Sequence, residues 1–231
     1  MELTFTAPVT SVVPVAGSSA MFPVHRIYCV GRNYAEHAKE MGGTGREAPF
    51  FFMKPADAIL AVPSGTTGKM PYPPMTKNLH HEVELVVAIG KSGRDIAVAD
   101  AAQYVWGYAV GLDMTRRDLQ SDAKQQGRPW CTGKGFDYSA PIGPLFPVTE
   151  LDQVDAAKIH LDVNGVTRQH SEIHKMIWNV SEVIAQLSQF YTLQPGDLIF
   201  TGTPEGVAAV VRGDVMEASI DGLGELKVEV I

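Results

Sequence analysis

Two glutamates two residues apart, Glu82 and Glu84, stand in the run His81 to Ile89, where side chains alternate as in a strand. Strand residues at i and i+2 point to the same face, which sets the two carboxylates side by side roughly 7 Å apart. Their face continues with Val86 and Ala88, and the opposite face carries Val83, Leu85, Val87 and Ile89. A strand apolar on both sides belongs inside a protein. Two carboxylates buried on one face repel each other and lose hydration, so one must take a proton or a cation must sit between them. The alternative is a strand end that reaches solvent with both glutamates on the rim, and the pattern leaves both readings open.

Asp113 adds a third carboxylate. It ends the apolar strand Tyr104 to Leu112 and opens a helical stretch, Thr115 to Gln126, that stops at Gly127 and Pro129. An aspartate there can be a simple N-cap. It also begins a polar stripe, since Asp113, Arg117, Gln120 and Lys124 fall at i, i+4, i+7 and i+11. That stripe could face solvent, or it could line a site beside the carboxylates. Three carboxylates and no thiolate suit a hard cation, Mg²⁺ or Mn²⁺, rather than zinc. They leave coordination positions open to a substrate that chelates through oxygen. His80 and His81 adjoin Glu82 but are not assigned as ligands: His81 points to the opposite face and His80 stands at the strand entrance.

These residues need a β-rich frame. The chain has 231 residues, 45% of them hydrophobic and 19% charged, enough apolar material for a large core. With 22 Gly and 15 Pro, many tight turns and short strands are expected. Ile27 to Val30, Phe50 to Met53, Ile159 to Val163, Asp197 to Thr201 and the tail Gly213 to Ile231 read as strands. Asn164-Gly165 reads as a hairpin turn. Asn33 to Met41 and Ser181 to Tyr191 read as helices, the second with Val183, Ile184, Leu187 and Phe190 on one apolar face. Residues 1–25, rich in Pro and Val, read as an extended arm or edge strand, and 26–231 as the main domain. The acidic total of 26 against 19 basic residues gives −7, which argues against nucleic acid or an anionic membrane as partner. Cys29 and Cys131 are far apart and fit reduced thiols. No basic residue precedes Arg26 and no apolar run reaches the ~20 residues of a membrane span, so a soluble cytoplasmic protein is expected.

Five segments occur in a telling order: Val30-Gly31-Arg32-Asn33-Tyr34, His80-His81-Glu82-Val83-Glu84-Leu85, Gly111-Leu112-Asp113-Met114-Thr115, Gly133-Lys134-Gly135-Phe136-Asp137 and Thr201-Gly202-Thr203-Pro204-Glu205-Gly206-Val207. Together they resemble the fumarylacetoacetate hydrolase family from about Ile27 to the C-terminus, closest to its short acylpyruvate-cleaving members. The resemblance implies an α+β fold, a mixed β-sandwich roll of the kind that family's C-terminal domain adopts, in a homodimer. Met176-Ile177-Trp178 and the strand-rich tail are the expected subunit contact. It implies Mg²⁺ or Mn²⁺ held by Glu82, Glu84 and Asp113. It implies a catalytic pair, His37 and Glu40, one helical turn apart on a short lid, with Lys134 as the active-site lysine. Arg117 and Gln120 are implied to line the substrate pocket and Thr203 to hold a substrate carboxylate. Arg32, Arg116 and Arg117 are candidates for a distal carboxylate, because guanidinium binds one bidentately.

The implied reaction is hydrolysis of the carbon–carbon bond of an acylpyruvate, with fumarylpyruvate giving fumarate and pyruvate. Glu40 orients His37, His37 takes a proton from water, and Lys134 stabilises the oxyanion at the distal carbonyl. A 2-oxo acid on the same cation could instead be decarboxylated, as oxaloacetate, or tautomerised or isomerised. A non-enzymatic β-rich binding module, with structural carboxylates, is the third reading.

Overall fold

The strand predicted around Glu84 forms as Val83–Ile89, and all seven of its residues are buried. Both of its faces meet apolar neighbours, which answers to the lack of a polar face in its sequence. Val83, Leu85, Val87 and Ile89 enter one core with Tyr28, Leu112 and Ile199. Val86 and Ala88 enter another with Cys29, Ala109 and Phe200. The computed structural model describes residues 3–36, 46–151 and 154–231.

Among the described residues an eight-stranded mixed sheet runs in the order Phe50–Lys54, Ile27–Gly31, Leu198–Phe200, Val83–Ile89, Val105–Leu112, Ala140–Ile142 and Ile59–Ala61, with Phe146–Pro147 paired to Val105–Leu112 off that path. A five-stranded sheet, Val166–Glu172, Lys158–Val163, Val215–Ile220, Glu225–Val230 and Thr67–Met70, faces it. Ile159, Leu161, Ala218, Leu226 and Val228 from this second sheet share the core of Val83, Leu85 and Val87. Two layers of curled sheet closed over one main core are the β-rich α+β roll that the sequence suggested. The Asn164-Gly165 turn joins its two strands as expected. Within residues 1–25, Val12–Pro14 and Met21–Pro23 form a hairpin, whose Val13 and Phe22 are buried in the second core.

Two helix boundaries differ from the sequence reading. Thr115–Arg116 pairs with Leu79–His80 as a short strand, so the helix begins later, at Arg117–Gln125. The amphipathic helix is Val180–Phe190, with Val183, Ile184 and Leu187 buried. Phe190 leaves the core: it is the last residue of that helix, is 65% exposed, and packs edge-to-face with the Phe51 ring. The helix starts with a capping box, Asn179 Oδ1 accepting from Glu182 N and Glu182 Oε2 from Asn179 N, each at 3.0 Å. Asn33 to Met41 is described only as far as Glu36.

The site depends on one knot between sheet and loops. Asn33, fully buried, donates to the Thr201 carbonyl at 2.7 Å and the Trp178 carbonyl at 2.9 Å, and accepts from Trp178 N at 2.8 Å. It locks the end of Ile27–Gly31 to the turn Thr201-Gly202-Thr203. Gly202 sits there at φ +101° with Asn33 so close that a Cβ would fall 2.6 Å from Asn33 Cβ, and only glycine fits both conditions. Asn33→Ala removes the side-chain partner of one buried carbonyl, Thr201, and of two part-buried backbone groups of Trp178. It is expected to cost about 2–4 kcal/mol in urea unfolding, from lost hydrogen bonds whose partners stay wholly or partly buried.

Candidate functional site

Antiparallel register brings the three acids together. Val83 lies opposite Leu112 and Glu84 opposite Gly111, and Asp113 N donates to the Glu82 carbonyl at 2.9 Å. Asp113 is thus carried past the strand end to stand beside Glu82. Gly111 has to be small: a Cβ there would come within 2.5 Å of Val86 Cγ2 and 2.7 Å of Phe200 Cε1. The carboxylates offer oxygens that all lie within 4.8 Å of one another. Glu82, Glu84 and Asp113 are only 5%, 1% and 1% exposed, so the reading that put the glutamates on a solvent rim does not hold.

Three cations answer these three acids. Lys134, at the end of the one-turn helix Cys131–Lys134, donates to Glu82 Oε2 at 2.8 Å and Asp113 Oδ2 at 2.7 Å. Arg117 Nη2 donates to Glu82 Oε1. Lys54 Nζ lies 2.8 Å from Asp113 Oδ1 as an ion pair, off the hydrogen-bonding direction, so that buried oxygen accepts no hydrogen bond. Lys54 spends its protons on the Met114 carbonyl, at 3.2 Å, and the Lys134 carbonyl. Glu84 Oε2 accepts from Gly202 N at 2.8 Å. Burial, reinforced by the Asp113 and Glu82 charges, still pushes the Glu84 carboxyl well above the usual carboxylate range. Burial opposes the charge on Lys134, yet Asp113 and Glu82 hold its pKa above the ordinary lysine value. An all-oxygen donor set with one carboxylate oxygen short of hydrogen bonds fits a hard divalent cation.

The other expected residues fall as follows. Gln120 is buried beside the site, its Oε1 accepting from Arg117 Nη1 at 2.5 Å, which leaves its amide protons to give. Lys124, the last member of the polar stripe, is exposed, and Asp113 precedes the helix rather than lying on it. Thr203 lines the same cleft, but its hydroxyl donates to the Val83 carbonyl at 2.9 Å and accepts from Gln169 Nε2 at 2.8 Å. A substrate carboxylate can take that proton only if the bond to Val83 is given up. Arg116 turns away from the carboxylates, donating to the Thr132 carbonyl and stacking 4.4 Å over Phe136. His37 and Glu40 lie outside the described residues.

Both histidines left unassigned are spoken for. His81 Nδ1 is 2.9 Å from Gln169 Oε1, an acceptor, so Nδ1 carries the proton. Burial and then Arg117 hold His80 down to about 4, which keeps it neutral beside that guanidinium. Sequence reasoning missed Lys54 and Gln169. Gln169, from the facing sheet, binds His81, Val83 N, Thr203 and the Pro204 carbonyl at once. Charge accounting could have pointed to Lys54, since three buried acids call for more cations than Lys134 and Arg117 supply. Lys54→Met strands Asp113 beside an apolar chain. It is expected to lower the stability of the metal-free protein by about 3–5 kcal/mol in a denaturant melt, with partial recovery in excess Mg²⁺.

Comparison with known proteins fits this arrangement. Fumarylpyruvate hydrolase of Ralstonia sp is 48% identical over 184 residues, 80% of this chain and 93% of the relative. The mitochondrial oxaloacetate tautomerase FAHD1 of Rattus norvegicus is 43% identical over 204 residues, 88% of this chain and 90% of the relative. The crystal structure of fumarylpyruvate hydrolase from Pseudomonas aeruginosa in complex with Mn²⁺ and pyruvate superposes with a TM-score of 0.98 at 55% identity, covering 100% of this chain and 99% of that one. Residues 26–231 match the family described as fumarylacetoacetate (FAA) hydrolase C-terminal, and the chain belongs to that family.

Proposed function

We propose that this protein is a metal-dependent hydrolase that cleaves the carbon–carbon bond of an acylpyruvate, fumarylpyruvate plus water giving fumarate plus pyruvate. The observation that carries the reading is the buried trio Glu82, Glu84 and Asp113, set in a fold that superposes on a fumarylpyruvate hydrolase bound to Mn²⁺ and pyruvate. Glu82, Glu84 and Asp113 hold Mg²⁺ or Mn²⁺. Bound there, the cation would supply Lewis acidity toward the oxygens of the 2-oxo acid end of the substrate. Glu40 orients His37, and His37 takes the proton of the water that attacks the distal carbonyl. Lys134 stabilises the oxyanion formed there. Arg117 and Gln120 orient the bound 2-oxo acid, and Thr203 receives its carboxylate. Residues 26–231 form the catalytic domain, with 1–25 an extension of it. We read the active form as a cytoplasmic homodimer; no helix among the described residues is long and apolar enough to cross a membrane, and both cysteines are free. Met176 is buried within its own chain and Trp178 lies under Arg46, which leaves the strand-rich tail as the more available part of the expected contact.

A second reading has its own support. The Rattus norvegicus relative is an oxaloacetate tautomerase, and enolisation or decarboxylation of oxaloacetate on the same cation needs no attacking water. The two chemistries separate at His37. With Mg²⁺ or Mn²⁺ present, fumarylpyruvate is expected to lose its diketone absorbance with matching release of pyruvate, and chelation of the metal is expected to stop it. In His37→Ala that hydrolysis should fall by about 10²–10⁴-fold, the usual contribution of a general base, while oxaloacetate turnover persists. No metal-dependent loss of fumarylpyruvate by the wild type would end the hydrolase reading; equal loss of both activities in His37→Ala would show one shared chemistry.

A further inference from the structure

Among the described residues, the cleft over the carboxylates contains one cation that the acids do not use. Lys134 and Arg117 line the cleft and are both bonded to Glu82. Arg116 points elsewhere. Arg32 lines the same cleft and, among the described residues, enters no hydrogen bond or ion pair; its Nε is buried without a partner. Its guanidinium lies 5.8 Å from the centre of the Phe50 ring. Phe50 and Phe52 both pack against Trp130, which gives that part of the cleft flat aromatic walls.

The backbone at Arg32 is bent to this placement. Its φ is +59°, a left-handed conformation that a long side chain adopts only when neighbours enforce it. The neighbour is Asn33, tied on its side chain to Trp178 and Thr201 and on its carbonyl to Ile177 N at 2.7 Å. The left-handed turn takes Arg32 out of the pleat of the strand it follows and into the cleft wall. Met75, Asp95, Tyr138 and Asn164 also have positive φ, but of these five described residues Arg32 alone lines the carboxylate cleft.

We infer that Arg32 is the specificity residue of the site, receiving the terminal carboxylate of the acyl group. The inference rests on the acylpyruvate reading above and sharpens it: the preferred substrates are acylpyruvates whose acyl arm is flat and ends in a carboxylate. The 2-oxo acid end sits at Glu82, Glu84 and Asp113, the unsaturated arm lies along Phe50, Phe52 and Trp130, and the far carboxylate meets the Arg32 fork, a bidentate match. An acyl group that ends in methyl leaves Arg32 unpaired and gains nothing from it.

The test uses two 2-oxo acids with the seven-carbon chain of fumarylpyruvate, 2-oxopimelate and 2-oxoheptanoate, which differ in the terminal carboxylate. Calorimetry on the Mn²⁺-loaded protein should show wild type preferring the diacid by roughly 10- to 100-fold, the worth of a charge-assisted pair. Arg32→Met should erase that preference while binding 2-oxoheptanoate as wild type does, which also shows that the variant is folded. Arg32→Lys should restore part of it. In turnover, Arg32→Met should raise KM for fumarylpyruvate and leave acetylpyruvate unchanged. An undiminished diacid preference in Arg32→Met, or none in wild type, overturns the inference even where fumarylpyruvate is hydrolysed. A wild-type preference lost in Arg32→Met, in a protein that fails to hydrolyse fumarylpyruvate, upholds Arg32 and removes the hydrolase reading instead.

Discussion

Glu82, Glu84 and Asp113 lie almost wholly out of water with their oxygens within 4.8 Å of one another, and this crowding of negative charge governs the surrounding structure. Each carboxylate taken into the interior costs several kcal/mol unless charge or hydrogen bonds compensate it. Lys54, Lys134 and Arg117 are drawn in for that reason, and Glu84, with Gly202 N as a donor, is left holding its proton above the usual range. A centre balanced in this way is poised for exchange. A divalent cation held by the three acids would compensate the same negative charge that Lys54, Lys134 and Arg117 balance in its absence.

The fold holds the centre by stiffness on every side. Glu84 and Asp113 stand on or next to adjacent antiparallel strands, so their spacing follows from backbone register rather than from side-chain choice. The turn Thr201-Gly202-Thr203 is fixed below them by Asn33 and above by the carbonyls of Val83 and Leu85. Gln169 reaches across from the second sheet and ties that turn to the start of the glutamate strand. Two layers that would otherwise meet only through apolar contact are thereby keyed together at the site, and the positions of donors and acids become properties of the whole roll.

What could be read from the sequence was whatever obeys a short period. The alternation of His81 to Ile89 placed Glu82 and Glu84 on one face, and the end of the next apolar run placed Asp113. Helical spacing then misled in part. It put Asp113 on one stripe with Arg117, Gln120 and Lys124, whereas the short strand Thr115–Arg116 intervenes and Lys124 ends exposed. Lys54 was invisible because nothing in Phe50-Phe51-Phe52-Met53-Lys54 says whether the lysine leaves or enters the interior. That is decided by Asp113, 59 residues further along and carried past the end of another strand. Gln169 was hidden for the same reason, a strand polar amide whose partners lie in another sheet. Arg32 could be listed only as one arginine among three, since its left-handed backbone depends on a tertiary knot. The roles of His37, Glu40, Lys134 and Thr203 came from family resemblance and not from any local pattern.

On the function proposed above, the three acids form one site for a hard dication. Manganese titration of the metal-stripped protein, followed by the electron paramagnetic resonance of free Mn²⁺, addresses it most directly. One Mn²⁺ bound per chain, with that binding lost in Glu84→Ala and in Asp113→Ala, is the result expected. Equal uptake by wild type and both variants would contradict it.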